Sequence, residues 1–294
     1  DSHNGALTQP GNSTGTFYFR ETKTNMGHYY DVAGNPRHTY TNDKGKIIPM
    51  RFPQVAKENL FPSVSTVLKD TLANSQLIEY AKRQVAEVAW ENPALEAQFD
   101  ITKEDWIQQV LEASEADKDG AADLGTAIHA SIENYLAGNQ WCIPEHIPYL
   151  DCVRQFMAEN HVEVLRAEHA FSDKDYGYGG TIDLACKVNG LCCIVDWKSR
   201  RTKPEDKKLK PYESHPLQIA AYANAYFGLL SGDEPIGCNV YLSTTEPGRM
   251  DICWYSAEEI SFCLKYEAPT THCARSPLRP KLKSTPVVPP PLRL

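Results

Sequence analysis

The sequence has no run approaching the ~18 apolar residues of a membrane span, so no segment reads as a transmembrane helix. It opens "DSHNGALTQPGNSTGTF", with neither an initiator Met nor an apolar signal core, and the expectation is a trimmed or partial chain rather than a secretory precursor. No GxxxxGK[ST] loop occurs, so there is no sign of an ATP-driven motor; no nucleotide cofactor is expected, and there is no internal repeat. The nine cysteines form no CxxC pair, and Cys186, Cys192, Cys193 and Cys263 fall inside apolar patterns. Reduced core thiols in a cytosol-like compartment are expected, not a disulfide framework, and the Cys/His spacing does not make a zinc module. Asn12-Ser13-Thr14 fits a glycosylation acceptor, but nothing else in the chain points to secretion. A net charge of −8 argues against a general nucleic-acid coat protein. One stretch runs against that balance: "KSRRTKPEDKKLK", Lys198 to Lys210, is strongly basic and by itself reads as a solvated loop.

What is present is a globular chain of 294 residues whose 41% hydrophobic content can fill a sizeable core. Residues 1–16 are polar and Gly-rich, which predicts a flexible start. Alternating aromatic and polar residues with turns at Gly34-Asn35-Pro36 and Asp43-Lys44-Gly45 predict a small β-meander within residues 1–60. A helical region follows. Ser63 is placed to cap its first helix, and further helices are predicted at Ser75–Glu91, Lys103–Glu115 behind a Thr102 cap, Ala121–Ala137 and Pro148–Asn160. The rest reads as strand "VLRAEHAFSD", a hairpin, a helix from Ser214, strands "CNVYLS" and "MDICWYS", and a last helix with a Ser256/Glu259 capping box. Residues 276–294 are Pro-rich and basic, a composition expected to be disordered.

The most informative stretch is "GYGGTIDLACKVNGLCCIVDWKSR", Gly177 to Arg200. Asn189-Gly190 between alternating strands is a strong signal for a type I′ turn, which needs positive φ at both central residues. The register then pairs Val188 with Leu191, Cys186 with Cys193, Leu184 with Val195 and Asp183 with Asp196. Like charges directly opposite one another destabilise a sheet, so the pair requires a raised pKa, a basic partner or a divalent cation. Lys198 projects to the same face as Asp196 and supplies a base. A hard cation answers the requirement best, since carboxylate, water and phosphate oxygens suit Mg²⁺, and Lys198 could then orient a water and offset charge growing on a phosphorane-like transition state.

These residues resemble the PD-(D/E)XK nuclease superfamily, with "GGTID" carrying the first Asp and "IVDWK" the Asp-x-Lys. The nearer resemblance is to its RecB-like branch, particularly the stand-alone exonucleases of phages and of mitochondrial genome maintenance. That branch has an upstream helix with Gly-x-x-x-His, similar to "DLGTAIHASIENYLAG", and a downstream Gln-x-x-x-Tyr helix, similar to "HPLQIAAYANAYF"; "FPSVSTVL" resembles a segment near their start. The match runs from about Phe61 to Leu230. Ile182 stands where the superfamily's name has Pro, a departure common in this branch.

The resemblance implies an α/β restriction-endonuclease-like core, a mixed central β-sheet flanked by helices, over residues 61–275. It implies that His129, Asp183 and Asp196, with the Trp197 carbonyl, hold Mg²⁺ or Mn²⁺, and that Lys198 positions the attacking water. Gln218 and Tyr222 either contact DNA phosphate or brace the site; Arg200, Arg201 and Lys203 begin a phosphate-tracking rim. Glu168 either touches the metal through water or pairs with a base. Trp90, Tyr80 and Trp197 are candidates for base stacking, weighed against ordinary core roles. Cys253, Cys263 and Cys273 lack the close spacing of an iron-sulfur site, so no cluster is expected. The expected function is a metal-dependent DNA exonuclease preferring single-stranded ends, in a phage or bacterial cytoplasm or a mitochondrion, working beside replication or recombination proteins. A flap or structure-specific endonuclease and a catalytically silent DNA-binding or assembly protein are the alternatives.

Overall fold

A computed structural model describes residues 27–72, 75–91, 102–139, 141–228 and 234–267. The flexible start expected at residues 1–16 and the Pro-rich tail at 276–294 lie outside the described residues. Among the described residues no helix is long and apolar enough to cross a membrane.

The first strands do not form the expected meander. β1 (Tyr29–Tyr30) pairs with β4 (Phe61–Pro62), while β2 (Thr39–Thr41) pairs with β3 (Ile47–Pro49), giving two separate ribbons. Turn chemistry explains the split. The Asp31 carboxylate accepts from the amides of Ala33 and Asn35, and Gly34 adopts φ 86, so the chain turns out of β1. Asn42 accepts from the amides of Lys44 and Lys46 and closes β2 on β3 instead.

Helices α1 (Phe52–Glu58), α2 (Val64–Thr71) and α3 (Ser75–Glu91) follow. Ser63 caps α2 as predicted, its Oγ accepting from the Thr66 amide at 3.0 Å. The two helices predicted at Lys103–Glu115 and Ala121–Ala137 are one, α4 (Lys103–Leu136), 34 residues long behind the Thr102 cap. No proline interrupts the joining stretch, and one interior glycine, Gly120, costs only about 1 kcal/mol, which is too little to stop a helix anchored at its far end. Its C-terminal half buries Gly125, Ile128 and Ile132; the N-terminal half buries only Val110.

After α5 (Ile147–Glu159) come β5 (Glu163–Asp173), β6 (Tyr178–Val188), β7 (Leu191–Arg200), α6 (Ser214–Phe227), β8 (Ile236–Ser243), β9 (Met250–Tyr255) and α7 (Ala257–Glu267). Ser256 and Glu259 form the expected capping box. The sheet runs β5-β6-β7-β8-β9, antiparallel except for the parallel β7–β8 pair that α6 connects. This is the mixed α/β sheet flanked by helices that the sequence led us to expect. α5 and the end of α4 pack on one face, over Leu184, Val195, Trp197, Val240 and Leu242. α2, α6 and α7 cover the other, over Ile182, Ala185 and Ile194.

Phe156 of α5 sets the height of the first layer. It is fully buried, meets the Trp197 ring edge-on at 5.5 Å and stacks near Trp254 at 6.1 Å. Truncating it removes the support beneath β7. Phe156→Ala is expected to lower stability by about 3–5 kcal/mol in urea unfolding, and Phe156→Leu by clearly less.

Candidate active site

The hairpin forms in the predicted register, with Val188 opposite Leu191, Cys186 opposite Cys193 and Leu184 opposite Val195, and with Asn189 and Gly190 at φ 49 and 84. The ladder then stops one pair short of Asp183 and Asp196. Alternation of bonded and unbonded pairs would send the Trp197 amide to the carbonyl of residue 182. It donates instead to Asp183 Oδ2 at 2.8 Å. The strand on the other side is irregular at the same level. β5 pairs with β6 at Ala167–Leu184 and at His169–Ile182, but Glu168 between them is left-handed, at φ 49. Side chains two apart on a strand share a face, yet Ile182 packs under α6 whereas Leu184 packs under α5. The pleat of β6 therefore turns over at Asp183, and β6 parts from β7, which continues against β8 as far as the Arg200–Ser243 pair.

Four of the predicted site residues gather where the strands part. Lys198 Nζ lies 2.9 and 2.8 Å from the two oxygens of Asp196. His129 Nδ1 lies 3.8 Å from Asp183 Oδ2, and the ring also makes a hydrogen bond with the Trp197 backbone. Gly125, one turn earlier on α4, explains the reach of His129: a Cβ there would stand 2.5 Å from Ser199 Oγ, so its absence lets the helix lie against β7. Gln218 and Tyr222 of α6 complete a chain, with Lys198 donating to Gln218 Oε1 at 3.2 Å and Gln218 Nε2 donating to the Tyr222 hydroxyl at 3.0 Å. Tyr222 is buried, which favours the bracing role over contact with DNA.

Burial and charge act in opposite directions here. Asp183 is pushed well above the usual carboxylate range, first by burial and then by the Asp196 charge. Burial pulls Lys198 down, but Asp196 and Asp183 outweigh it and hold the ammonium above its ordinary value, so it stays charged at neutral pH. Burial lowers His129, leaving a neutral imidazole with a free lone pair. Glu168 is raised to about 7 by burial and by Glu133, and it in turn opposes ionisation of Asp183. Carboxylate oxygens beside one imidazole are a donor set suited to Mg²⁺ or Mn²⁺. Among the described residues, however, no three His, Cys, Asp or Glu side chains already stand as a metal cage. Lys198, Asn239 and the Trp197 amide occupy the carboxylate oxygens instead.

Asn239 had no place in the sequence reading. It is fully buried on β8, donates to Asp196 Oδ2 at 2.7 Å and accepts from the Tyr255 hydroxyl at 2.7 Å. Its signal was available as a lone amide inside the apolar strand "CNVYLS". The basic run is less free than its composition suggests. Arg201 makes a two-point pair with Asp117 of α4 at 2.6 Å, Lys203 reaches Glu87 of α3 at 3.5 Å, and Arg200 donates to the Lys210 carbonyl. Of the stacking candidates, Trp197 is core, while Tyr80 and Trp90 are exposed. The eight described cysteines are free thiols.

Glu168 gives the site a pH signature in stability. Folded Glu168 keeps its proton to about 7, whereas its ordinary value is 4.5, so between these the folded state binds more protons and stability falls as pH rises. In EDTA, urea unfolding from pH 5 to 8 should show that decline, and Glu168→Gln should flatten it and gain on the order of 1–2 kcal/mol at pH 8. An unchanged slope in the variant would remove Glu168 as its source.

No protein-family model matches the chain. Among curated proteins it is similar to mitochondrial genome maintenance exonuclease 1 of Homo sapiens, 24% identical over 207 residues that make up 67% of this chain and 52% of that protein. It is also similar to the Mus musculus protein of the same name, 22% identical over 249 residues, 82% of this chain and 65% of that one. The chain thus spans between half and two thirds of the length of these relatives. Among solved structures it is similar to SSO0001, at 14% identity, covering 63% of this chain and 69% of that one, with a TM-score of 0.25 that carries no structural argument.

Proposed function

We propose that the chain is a metal-dependent deoxyribonuclease, an exonuclease that takes single-stranded ends. The observation that carries this reading is the convergence of Asp183, Asp196, Lys198 and His129 from β6, β7 and α4 at the point where two strands separate. The likeness to two exonucleases of mitochondrial genome maintenance supports it.

In this reading Asp183, Asp196 and His129, with the Trp197 carbonyl, would hold Mg²⁺ or Mn²⁺. When bound, such an ion supplies Lewis-acid polarisation of the scissile phosphate and a bound water of lowered pKa. The chain's own groups have distinct tasks. Lys198 orients the attacking water and meets negative charge as it grows. Gln218 fixes the Lys198 ammonium, and Tyr222 fixes Gln218. Asn239 holds Asp196 in one orientation, and His129, neutral, presents its lone pair.

Purified protein incubated with end-labelled single-stranded DNA should release short products with Mg²⁺ and none in EDTA. Lys198→Ala should abolish cleavage, a loss of at least about 10³-fold, while DNA binding stays within a few-fold; cleavage at the wild-type rate would refute the role of Lys198. Circular single strands should resist cleavage. Their digestion would favour a flap or structure-specific endonuclease, and a wild-type chain that binds DNA without cutting it under any divalent ion would make it a silent DNA-binding protein.

Asn239 gives a separate expectation. Asn239→Ala leaves Asp196 short of a donor and Tyr255 short of an acceptor, and should lower kcat about 10–100-fold and raise the Mg²⁺ concentration needed for half-maximal rate. Tyr255→Phe, one link further out, should cost less than Asn239→Ala in the same titration.

A further inference from the structure

We propose that the cavity between α3 and the loop joining β7 to α6 is a subsite for one unpaired nucleotide of the substrate strand. In it Tyr212 and Tyr80 stack the base, and Arg83 and Lys210 meet the phosphate. The proposal rests on the nuclease reading above and adds to it the element that selects an unpaired strand.

The cavity has a volume of about 590 Å³, within the ~300–1,000 Å³ range of small-ligand sites. Glu79, Tyr80 and Arg83 line it from α3, and Arg200, Lys210 and Tyr212 line it from the loop side. The loop wall is built rather than loose. Arg200 stacks over the Tyr212 ring at 4.5 Å and donates to the Lys210 carbonyl at 2.7 Å, which fixes the ring and the start of the Lys210 side chain together. Tyr80 is 41% exposed and lines the same space as Tyr212.

Chemistry narrows the occupant. Arg83, Arg200 and Lys210 line the cavity with one carboxylate, Glu79. Arg83 is also paired with Glu87 at 2.9 Å, an exposed pair that an anion can replace, and the exposed Tyr80 ring beside the half-buried Tyr212 favours a planar group. A phosphate joined to a base has both, and protein grooves for single strands combine these features because every base has a π-face. A base inside a duplex has its faces covered by its neighbours, so only an unstacked nucleotide can offer one to Tyr212. Position ties the cavity to the reaction. Arg200 lies two residues beyond Lys198 on β7, about 7 Å along the strand, so a polynucleotide with one phosphate at Lys198 has a neighbouring nucleotide at the cavity.

The test uses the full chain in EDTA and the fluorescence anisotropy of a short labelled oligodeoxythymidylate. Tyr212→Ala and the double variant Arg83→Ala with Lys210→Ala should each weaken binding about tenfold or more, and Tyr212→Phe should bind like wild type. A strand of the same length without bases should bind wild type about tenfold more weakly but distinguish little between wild type and Tyr212→Ala. Wild-type affinity in both variants, or equal wild-type affinity for strands with and without bases, would overturn the subsite. The comparison of strands needs only the wild-type protein, so it decides even if Tyr212→Ala fails to fold. Cleavage with Mg²⁺, measured alongside, separates the two ideas: a wild type that cuts DNA while the variants bind normally loses only the subsite. A wild type that neither cuts nor binds DNA loses the nuclease reading itself.

Discussion

A single substitution of acceptors opens this sheet. The Trp197 amide, due to meet a strand carbonyl, is taken by the Asp183 carboxylate. A buried amide needs an acceptor, so the carboxylate can replace the ladder bond without leaving a polar group stranded. The exchange has a price in local regularity: Glu168 takes a left-handed backbone and β6 turns its faces over. What it yields is space. Two strands that would have zipped shut now part at the level where α4 delivers His129 and α6 delivers Gln218. Gly125 belongs to the same constraint, because His129 reaches the gap only while the helix lies against Ser199.

The opened site is over-supplied with acid. Asp183, Asp196 and Glu168 face one ammonium, since His129 is neutral by reason of its burial. Lys198 contacts both oxygens of Asp196, and this pairing satisfies that carboxylate. It leaves Asp183 and Glu168 with raised pKa values, which means that each gives up ionisation to remain where it is. A fold that only needed neutral packing at these positions would do better with apolar residues of the same size, because isolated buried charge is costly. The retained acids therefore carry more weight for a cation than the mere presence of an Asp-x-Lys. The polar supports point the same way: Asn239 with Tyr255 on one side and Gln218 with Tyr222 on the other hold side-chain orientation, which apolar packing alone does not.

Much of this was legible from local rules. Asn189-Gly190 set the hairpin, and Thr102 and Ser63 set helix starts. Local rules failed where tertiary contacts competed with them. Period-2 alternation put Asp183 and Asp196 in a cross-strand pair, and it could not register that a carboxylate would displace a carbonyl. Residues 116–120 fall between the two predicted helices, although packing at Ile128 and Ile132 anchors one helix that runs through them. Asn239 went unnoticed because one amide in a strand has no period and no partner in sequence; its partners sit 43 residues before it and 16 after it. The basic run shows a related limit, since composition shows charge but not the acids folded against it.

Those acids also bear on how a strand would enter. Arg201 with Asp117 and Lys203 with Glu87 join the loop after β7 to α4 and α3, the helices whose remaining residues pack least on the sheet. Each pair is substantially exposed, and exposed pairs contribute about 0–1 kcal/mol, falling with salt. Such contacts are weak enough for phosphate to compete for the same arginine and lysine. On the proposed nuclease reading, these pairs would hold the helices near the opening until a polyanion took over the basic side chains and returned Asp117 and Glu87 to water. Arg200 is different: held by its stack on Tyr212 and its bond to Lys210, it stays fixed on the wall. The basic residues therefore divide by environment rather than by sequence, with those exposed and paired to acids able to exchange partners and the one pinned to aromatic rings serving as structure.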